Sequence, residues 1–177
     1  SSNILVTGRA GTGKSTLLRK LFPKHRYVTL DHLGLREQAK RDPLHFLESL
    51  GAAVLLDEIQ YAPDLFPYIK LKVDEARRNG SYLLTGSQMF PLMQGVSESL
   101  AGRAALFELP GFTQEELSFP AQSTDSLWRN IHRGFFPIPA LGRVEPEAIW
   151  EDNITTYLQR DLRQVRAVQD LVIFREY

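Results

Sequence analysis

One segment near the start of the chain has the residue types and spacing of a phosphate-binding loop. It reads Gly8-Arg9-Ala10-Gly11-Thr12-Gly13-Lys14-Ser15 and matches the pattern G-x-x-x-x-G-K-[ST]. Its glycines allow backbone N–H groups to converge on phosphate oxygens, and the N-terminus of a following helix adds positive potential. We expect nucleotide contacts from Gly8 to Thr16, with Lys14 reaching the β- and γ-phosphates as a catalytic cation. Ser15 would offer its hydroxyl to Mg²⁺, which prefers oxygen ligands.

Two carboxylates, Asp57 and Glu58, directly follow a second apolar run. Ala53–Leu56 is apolar throughout and is bounded by Gly51 and Asp57, as expected for a strand that is buried on both faces. Such a strand delivers an acid to the carboxyl edge of a sheet, which is the Walker B arrangement. We predict that Asp57 holds the Mg²⁺ shell and that Glu58 orients or deprotonates an attacking water. The alternative is a pair of solvated carboxylates at a strand end.

Two further positions are candidates for contacts to a transferring phosphate. In P-loop ATPases with an extra strand between the Walker A and Walker B strands, the tip of that strand contacts the γ-phosphate and the water. In this chain the tip follows Tyr82–Leu84, and Ser87 is the first candidate for these contacts. Thr85 and Gln88 are the second candidates. The alternative is an ordinary turn, in which such residues are common. Arg103 could neutralise charge on the phosphoryl group, in cis or from a neighbouring subunit. Its spacing alone favours an exposed loop arginine.

The segments that carry these residues alternate between strand and helix patterns. Apolar runs predict five strands at Ile4–Val6, Tyr27–Leu30, Ala53–Leu56, Tyr82–Leu84 and Ala104–Leu109. Helical spacing covers Lys14–Phe22 and Leu65–Arg78, and Asp42-Pro43 interrupts a third helical stretch. This alternation favours a parallel sheet with helices on both faces. Together with the phosphate-binding loop, it predicts an α/β fold, a three-layer P-loop NTPase sandwich with a mostly parallel five-stranded sheet.

The character of the sequence changes after residue 110. We predict a nucleotide-binding core in residues 1–110 and a small C-terminal helical subdomain or lid in residues 111–177, with short helices at 113–117 and 126–133. Pro146 opens a longer helical pattern that continues to Val165. A drifting basic stripe in that pattern favours a solvated helix face over a nucleic-acid or partner surface; its members are Arg160, Arg163 and Arg166. Because the chain lacks an initial Met and ends on an apolar, helix-like segment, we expect a fragment that is truncated at its C-terminal end.

Composition excludes several classes of protein. Of the 177 residues 43% are hydrophobic and 24% are charged, and 21 basic residues balance 21 acidic ones, which argues against nucleic-acid binding through overall charge. The absence of cysteine excludes disulfides, thiolate metal sites and a cysteine nucleophile. No apolar run approaches the roughly 20 residues of a membrane span, and no signal peptide is recognisable. We therefore predict a cytoplasmic protein without a membrane partner.

Taken together, these segments resemble a family of prokaryotic AAA+-like P-loop ATPases. The resemblance rests on the phosphate-binding loop and on five further segments: Leu55-Leu56-Asp57-Glu58-Ile59-Gln60, Leu83-Leu84-Thr85-Gly86-Ser87, Ser99-Leu100-Ala101-Gly102-Arg103, Arg133-Gly134-Phe135-Phe136-Pro137 and Tyr157-Leu158-Gln159-Arg160-Asp161-Leu162. It implies ATP and Mg²⁺ as cofactors, with Arg103 as a phosphate sensor or finger. It also implies the strand order 5-1-4-3-2, a helical lid and a C-terminal domain, and we expect that domain to be missing from this fragment.

Three functions are compatible with these residues. The first is an ATPase that couples Mg²⁺-dependent hydrolysis to movement of the lid or of a partner domain, and the Asp57-Glu58 pair favours it. The second is a small-molecule kinase, which would need an acceptor pocket and a lid with several arginines. The third is a nucleotide-gated module with little turnover that binds protein or nucleic acid. A homo-oligomer or a partner protein is compatible with each of them.

Overall fold

The structure is a computed structural model, and it describes residues 3–76, 80–87, 99–117, 124–142, 147, 150 and 151. The chain divides into two units, Ser1–Pro110 and Gly111–Tyr177. The first unit is built on the predicted strands and helices. The second contains helical segments and is described by itself below.

Five strands form one sheet in the first unit. They are β1 (Asn3–Thr7), β2 (Arg26–Thr29), β3 (Val54–Asp57), β4 (Tyr82–Gly86) and β5 (Ala104–Glu108). Their order across the sheet is β2-β3-β4-β1-β5, and every neighbouring pair is parallel. This is the predicted order 5-1-4-3-2 written from the other edge, with β4 between β1 and β3. All carboxyl ends of the strands therefore lie at one edge of the sheet.

Helices cover both faces of this sheet. They are α1 (Lys14–Leu21), α2 (Leu33–Arg41), α3 (Pro43–Leu50) and α4 (Leu65–Ala76). Successive residues of a strand point to opposite faces, so Leu55 packs in one cluster with Leu18 of α1, whereas Leu56 packs in the other with side chains of α3 and α4. All four residues of β3 are buried. The predicted three-layer sandwich is confirmed.

The third helical stretch is divided at Asp42-Pro43, as predicted, into α2 and α3. The side chain of Asp42 accepts a hydrogen bond from the backbone N–H of His45 at 3.0 Å, which caps α3, and Pro43 occupies its first turn. Proline cannot continue α2 because it lacks the N–H that an internal helical residue donates. The Asp-Pro pair therefore both ends α2 and starts α3.

The second unit contains two described helices, α5 (Thr124–Arg133) and α6 (Pro137–Ala140). The indole N–H of Trp150 donates to the carbonyl of His132 at 2.9 Å, and its ring lies edge-on to Phe136. The prediction of a helix at 113–117 is wrong. That segment is a turn, in which Thr113 and Glu116 bond each other's backbone N–H groups and so satisfy one turn without a helix.

Several predictions for this unit lie outside the described residues. Of the long helical pattern after Pro146, the structure describes only Glu147, Trp150 and Glu151, all of them helical. The basic stripe Arg160, Arg163 and Arg166 is not among the described residues. Within the part of the chain that the structure describes, no helix combines the length and apolarity needed to cross a membrane.

Candidate functional site

The phosphate-binding loop connects β1 to α1 and depends on glycine backbone geometry. Gly8, Gly11 and Gly13 have φ angles of 141°, 83° and 91°, values that side chains other than glycine rarely adopt. Gly8 has a second constraint, because a Cβ atom there would lie 2.3 Å from the backbone oxygen of Leu109. The loop therefore requires glycine at this position both for its conformation and for its packing.

Substituting Gly8 with alanine is expected to destabilise the protein even without nucleotide. The positive φ alone costs about 1–3 kcal/mol, and the contact with the Leu109 carbonyl adds to that cost. Urea unfolding measures the change in the free energy of unfolding. Gly102→Ala is the matched control, since Gly102 also has a positive φ, 73°, but a Cβ atom there meets nothing within 4 Å. Equal losses in the two variants would contradict a packing constraint at Gly8.

The amino group of Lys14 lies inside the loop. Its Nζ donates to the backbone oxygens of Gly8 at 2.9 Å and Arg9 at 2.8 Å, and the residue is only 5% exposed. Burial lowers the pKa of Lys14 from its usual value, and the negative charges of Glu58 and Asp57 oppose that shift. The cation predicted for phosphate binding is thus held at the loop by backbone oxygens.

The carboxylate of Asp57 collects hydrogen bonds from three elements. The Ser15 hydroxyl, at the start of α1, donates to Oδ1 at 2.6 Å. Thr85, on β4, donates to the same oxygen. The hydroxyl of Tyr27, on β2, donates to Oδ2 at 2.7 Å. Ser15 and Asp57, the predicted metal ligands, therefore lie side by side as an all-oxygen pair, and this donor set fits Mg²⁺.

Tyr27 has an environment that keeps its hydroxyl a donor. Burial raises the pKa of Tyr27 to about 12, and the hydrogen bond and negative charge of Asp57 contribute further to that rise. The guanidinium of Arg19, on α1, lies 4.7 Å from the centre of the Tyr27 ring. Sequence analysis placed Tyr27 in a strand but assigned it no contact to the site.

Glu58 has the one positive φ found at a non-glycine residue in the described segments, with φ 58° and ψ 46°. This left-handed residue turns the chain from β3 into a 3₁₀ helix, Ile59–Tyr61. The Glu58 Oε2 accepts from the Ser87 hydroxyl at 3.0 Å and from the Gln60 amide. Such backbone strain is common at functional sites. The turn and both donors fix the carboxylate at the edge of the sheet.

The two polar residues at the tip of β4 have separate partners. Thr85 is fully buried; besides donating to Asp57, its hydroxyl accepts from the Glu58 backbone N–H at 3.3 Å. Ser87 contacts Glu58 and Gln60. Thr85 reaches Asp57 because it directly follows Leu84, which pairs with Leu56 next to Asp57, whereas Ser87 is two residues further along. Gln88 lies outside the described residues.

Arg103 lies at the other edge of the sheet. It directly precedes β5, whose first residue pairs with Asn3 at the start of β1. The phosphate-binding loop follows the opposite end of β1, roughly 16 Å away at about 3.3 Å per residue. The Arg103 Nε donates to Asp74 at 2.7 Å, and this partner lowers the pKa of Asp74. Within this chain, Arg103 is therefore not brought together with Lys14, Ser15, Asp57 and Glu58.

Sequence reasoning missed one more residue besides Tyr27. Gln60 belongs to the Asp-Glu-Ile-Gln segment, but no role was assigned to it. Its amide Nε2 donates to Glu58 and also to Ser87, at 3.2 Å in the second case. Its Oε1 is buried and has no hydrogen-bond partner among the residues that the structure describes. The signal that could have found it is its position two residues after Glu58, within the most specific of the matching segments.

The fold and the site together define a class of protein. A G-x-x-x-x-G-K-S loop between β1 and α1, an acidic pair at the end of β3 and a strand inserted between β1 and β3 are features of a P-loop NTPase. A family model described as "AAA domain" matches residues 1–118. The chain therefore belongs to the AAA domain family, and it is a nucleotide-binding, ATPase-like domain.

Two curated relatives are similar along most of this chain. They are named "Uncharacterized protein Rv2008c", from Mycobacterium tuberculosis, and "Uncharacterized protein Mb2031c", from Mycobacterium bovis. Each is 36% identical over 164 residues, which is 92% of this chain and 36% of the relative. A solved structure of the Orc1 protein of Aeropyrum pernix, in complex with DNA, is 18% identical with a TM-score of 0.44, covering 88% of this chain and 49% of that one. The chain thus spans about a third of the length of its curated relatives.

Proposed function

We propose that this domain binds ATP with Mg²⁺ and hydrolyses it. The observation that carries the proposal is the 2.6 Å hydrogen bond between Ser15 and Asp57 beside the buried cation of Lys14. A hydroxyl and a carboxylate at this spacing offer oxygen ligands to Mg²⁺, and a loop with a lysine binds the phosphates whose charge the metal would help to neutralise. ATP is the proposed nucleotide because the chain belongs to the AAA domain family.

In the proposed mechanism each residue has a defined task. The loop N–H groups and the Lys14 ammonium bind the β- and γ-phosphates. Ser15 and Asp57 would hold Mg²⁺, which neutralises charge on the phosphate oxygens when it is bound. Glu58 accepts a proton from the attacking water. Because two donors already engage Oε2 of Glu58, we assign the proton to Oε1.

Hydrolysis is proposed to drive movement of the second unit or of a partner. The division at Pro110 supports a body that responds to nucleotide, and a lid is its simplest form. Arg103 would contribute only to the site of a neighbouring copy. It precedes the first residue of β5, at the edge of the sheet opposite to the phosphate-binding loop of its own chain. That position also favours a second candidate function, a nucleotide-gated module with little turnover on its own. The cytoplasmic location and the small-molecule kinase alternative remain untested predictions.

Phosphate release from Mg·ATP by this chain, without any added acceptor, tests the proposal. For an ATPase, the expected result is turnover to free phosphate. A kinase without its acceptor would hydrolyse ATP only slowly, so the assay separates the two functions. The same samples are scanned for thermal unfolding, since a ligand at 100 times its Kd stabilises by about 2.7 kcal/mol, or roughly 5–10 °C for a chain of this size. Stabilisation without turnover would favour the nucleotide-gated module. If the chain shows neither turnover nor stabilisation, both functions are overturned.

A further inference from the structure

The orientation of the Asp57 carboxylate depends on contacts to both of its oxygens. Ser15 and Thr85 both donate to Oδ1. Among the described residues, Tyr27 donates a hydrogen bond to Oδ2. The donors on β2 and β4 lie on the two strands that flank β3. A carboxylate held from both sides cannot rotate about its Cβ–Cγ bond without losing one of these bonds.

The Tyr27 ring is held in place independently of Asp57. Tyr27 pairs in register with Leu55, and Leu55 packs on the face of the sheet that α1 covers. On that face the Arg19 guanidinium lies over the ring. Arg19 and Ser15 are on the same helix, one turn apart. The helix that supplies the hydroxyl of the predicted metal site therefore also fixes the aromatic ring that holds its carboxylate.

We propose that Tyr27 is a positioning residue that sets the orientation of Asp57 for Mg²⁺ and nucleotide. The inference rests on the proposed function, because it concerns how the same site holds its metal. Tyr27 acts through Asp57: with Oδ2 held by the phenol, Oδ1 stays directed at Ser15. Partners of this kind orient the ligands of a metal, and their loss typically costs 10–100-fold in metal affinity.

Tyr27→Phe tests this inference, since it removes the hydroxyl and keeps the ring under Arg19. The measurement is binding of a non-hydrolysable ATP analogue over a Mg²⁺ titration, followed by thermal shift and by titration calorimetry. We expect the Mg²⁺ concentration for half-maximal stabilisation to rise about tenfold. Binding of the analogue in EDTA should not change, because the contacts described for Tyr27, to Asp57 and Arg19, involve no residue of the loop. Tyr68→Phe is the control, since it removes a hydroxyl from α4, on the other face of the sheet.

An unchanged Mg²⁺ requirement in Tyr27→Phe would overturn the inference. A weaker binding in EDTA by the same factor would also overturn it, since that result indicates a general structural role. Arg19→Gln is the second variant: it keeps the Asp57 hydrogen bond but frees the ring, and we expect a smaller shift in the same direction. If the unsubstituted chain shows no Mg²⁺-dependent binding, the proposed function fails, and this outcome is distinct from a failure in Tyr27→Phe alone.

Discussion

Replacing Glu58 with glutamine is expected to abolish ATP turnover and to leave ATP binding intact. The amide has nearly the shape of the carboxylate and still offers an oxygen to the Ser87 and Gln60 donors, so the turn after β3 is retained. It cannot accept a proton from water at neutral pH. Because a positioned general base contributes about 10²–10⁴-fold, kcat should fall by that factor. Phosphate release at saturating Mg·ATP measures it.

Two controls make this result specific. Glu37→Gln changes the same residue type at an exposed position of α2 and should keep full turnover. The thermal shift with Mg·ATP should be the same in Glu58→Gln as in the unsubstituted chain, because Glu58 is not among the residues proposed to bind the phosphates. Normal turnover in Glu58→Gln would mean that another group accepts the proton. Loss of binding together with turnover would assign Glu58 to nucleotide binding.

Replacing Lys14 with alanine is expected to remove stabilisation by nucleotide. Lys14 is the buried cation of the loop, and its loss leaves the phosphate charges to the backbone N–H groups and to Mg²⁺. The shift of roughly 5–10 °C expected for the unsubstituted chain at 100 times its Kd should fall to near zero at the same ATP concentration. Differential scanning fluorimetry with and without Mg·ATP measures the difference.

The control for this prediction is Lys20→Ala, which removes a lysine from an exposed position of the same helix. It should retain the full shift. Lys14→Met serves as a second variant, because it keeps most of the side-chain volume inside the loop and so separates loss of charge from a cavity. A full nucleotide shift in either Lys14 variant would contradict the assigned role of this residue.

The fold was predictable because its signals are local and agree with one another. The apolar run before Asp57 is long enough for a strand buried on both faces, and all four residues of β3 are buried. The glycine motif after β1 predicted the loop, because its glycines can adopt the positive φ angles that the loop requires. The resemblance to AAA+-like ATPases supplied the strand order, which composition and periodicity do not contain. The segment 113–117 is a single turn, and the reciprocal bonds between Thr113 and Glu116 that close it also occur at the start of helices.

The site was predictable only in part, because its remaining contacts come from pairing between distant strands. Tyr27 meets Asp57 across 30 residues, and nothing in its own segment indicates this contact. Combining the predicted order with the strand register would have found it, since β2 neighbours β3. Arg103 illustrates the opposite case. Its motif indicated a phosphate contact, but the parallel pairing of β5 with β1 carries it to the far edge of the sheet.

The first glycine of the loop also bears on the backbone that follows β5. Leu109 donates its backbone N–H to the Thr7 carbonyl at 2.8 Å, and its own carbonyl faces Gly8. A rearrangement of the loop on meeting phosphate would therefore displace the backbone that follows β5, because the Leu109 carbonyl leaves no room for movement of Gly8 towards it.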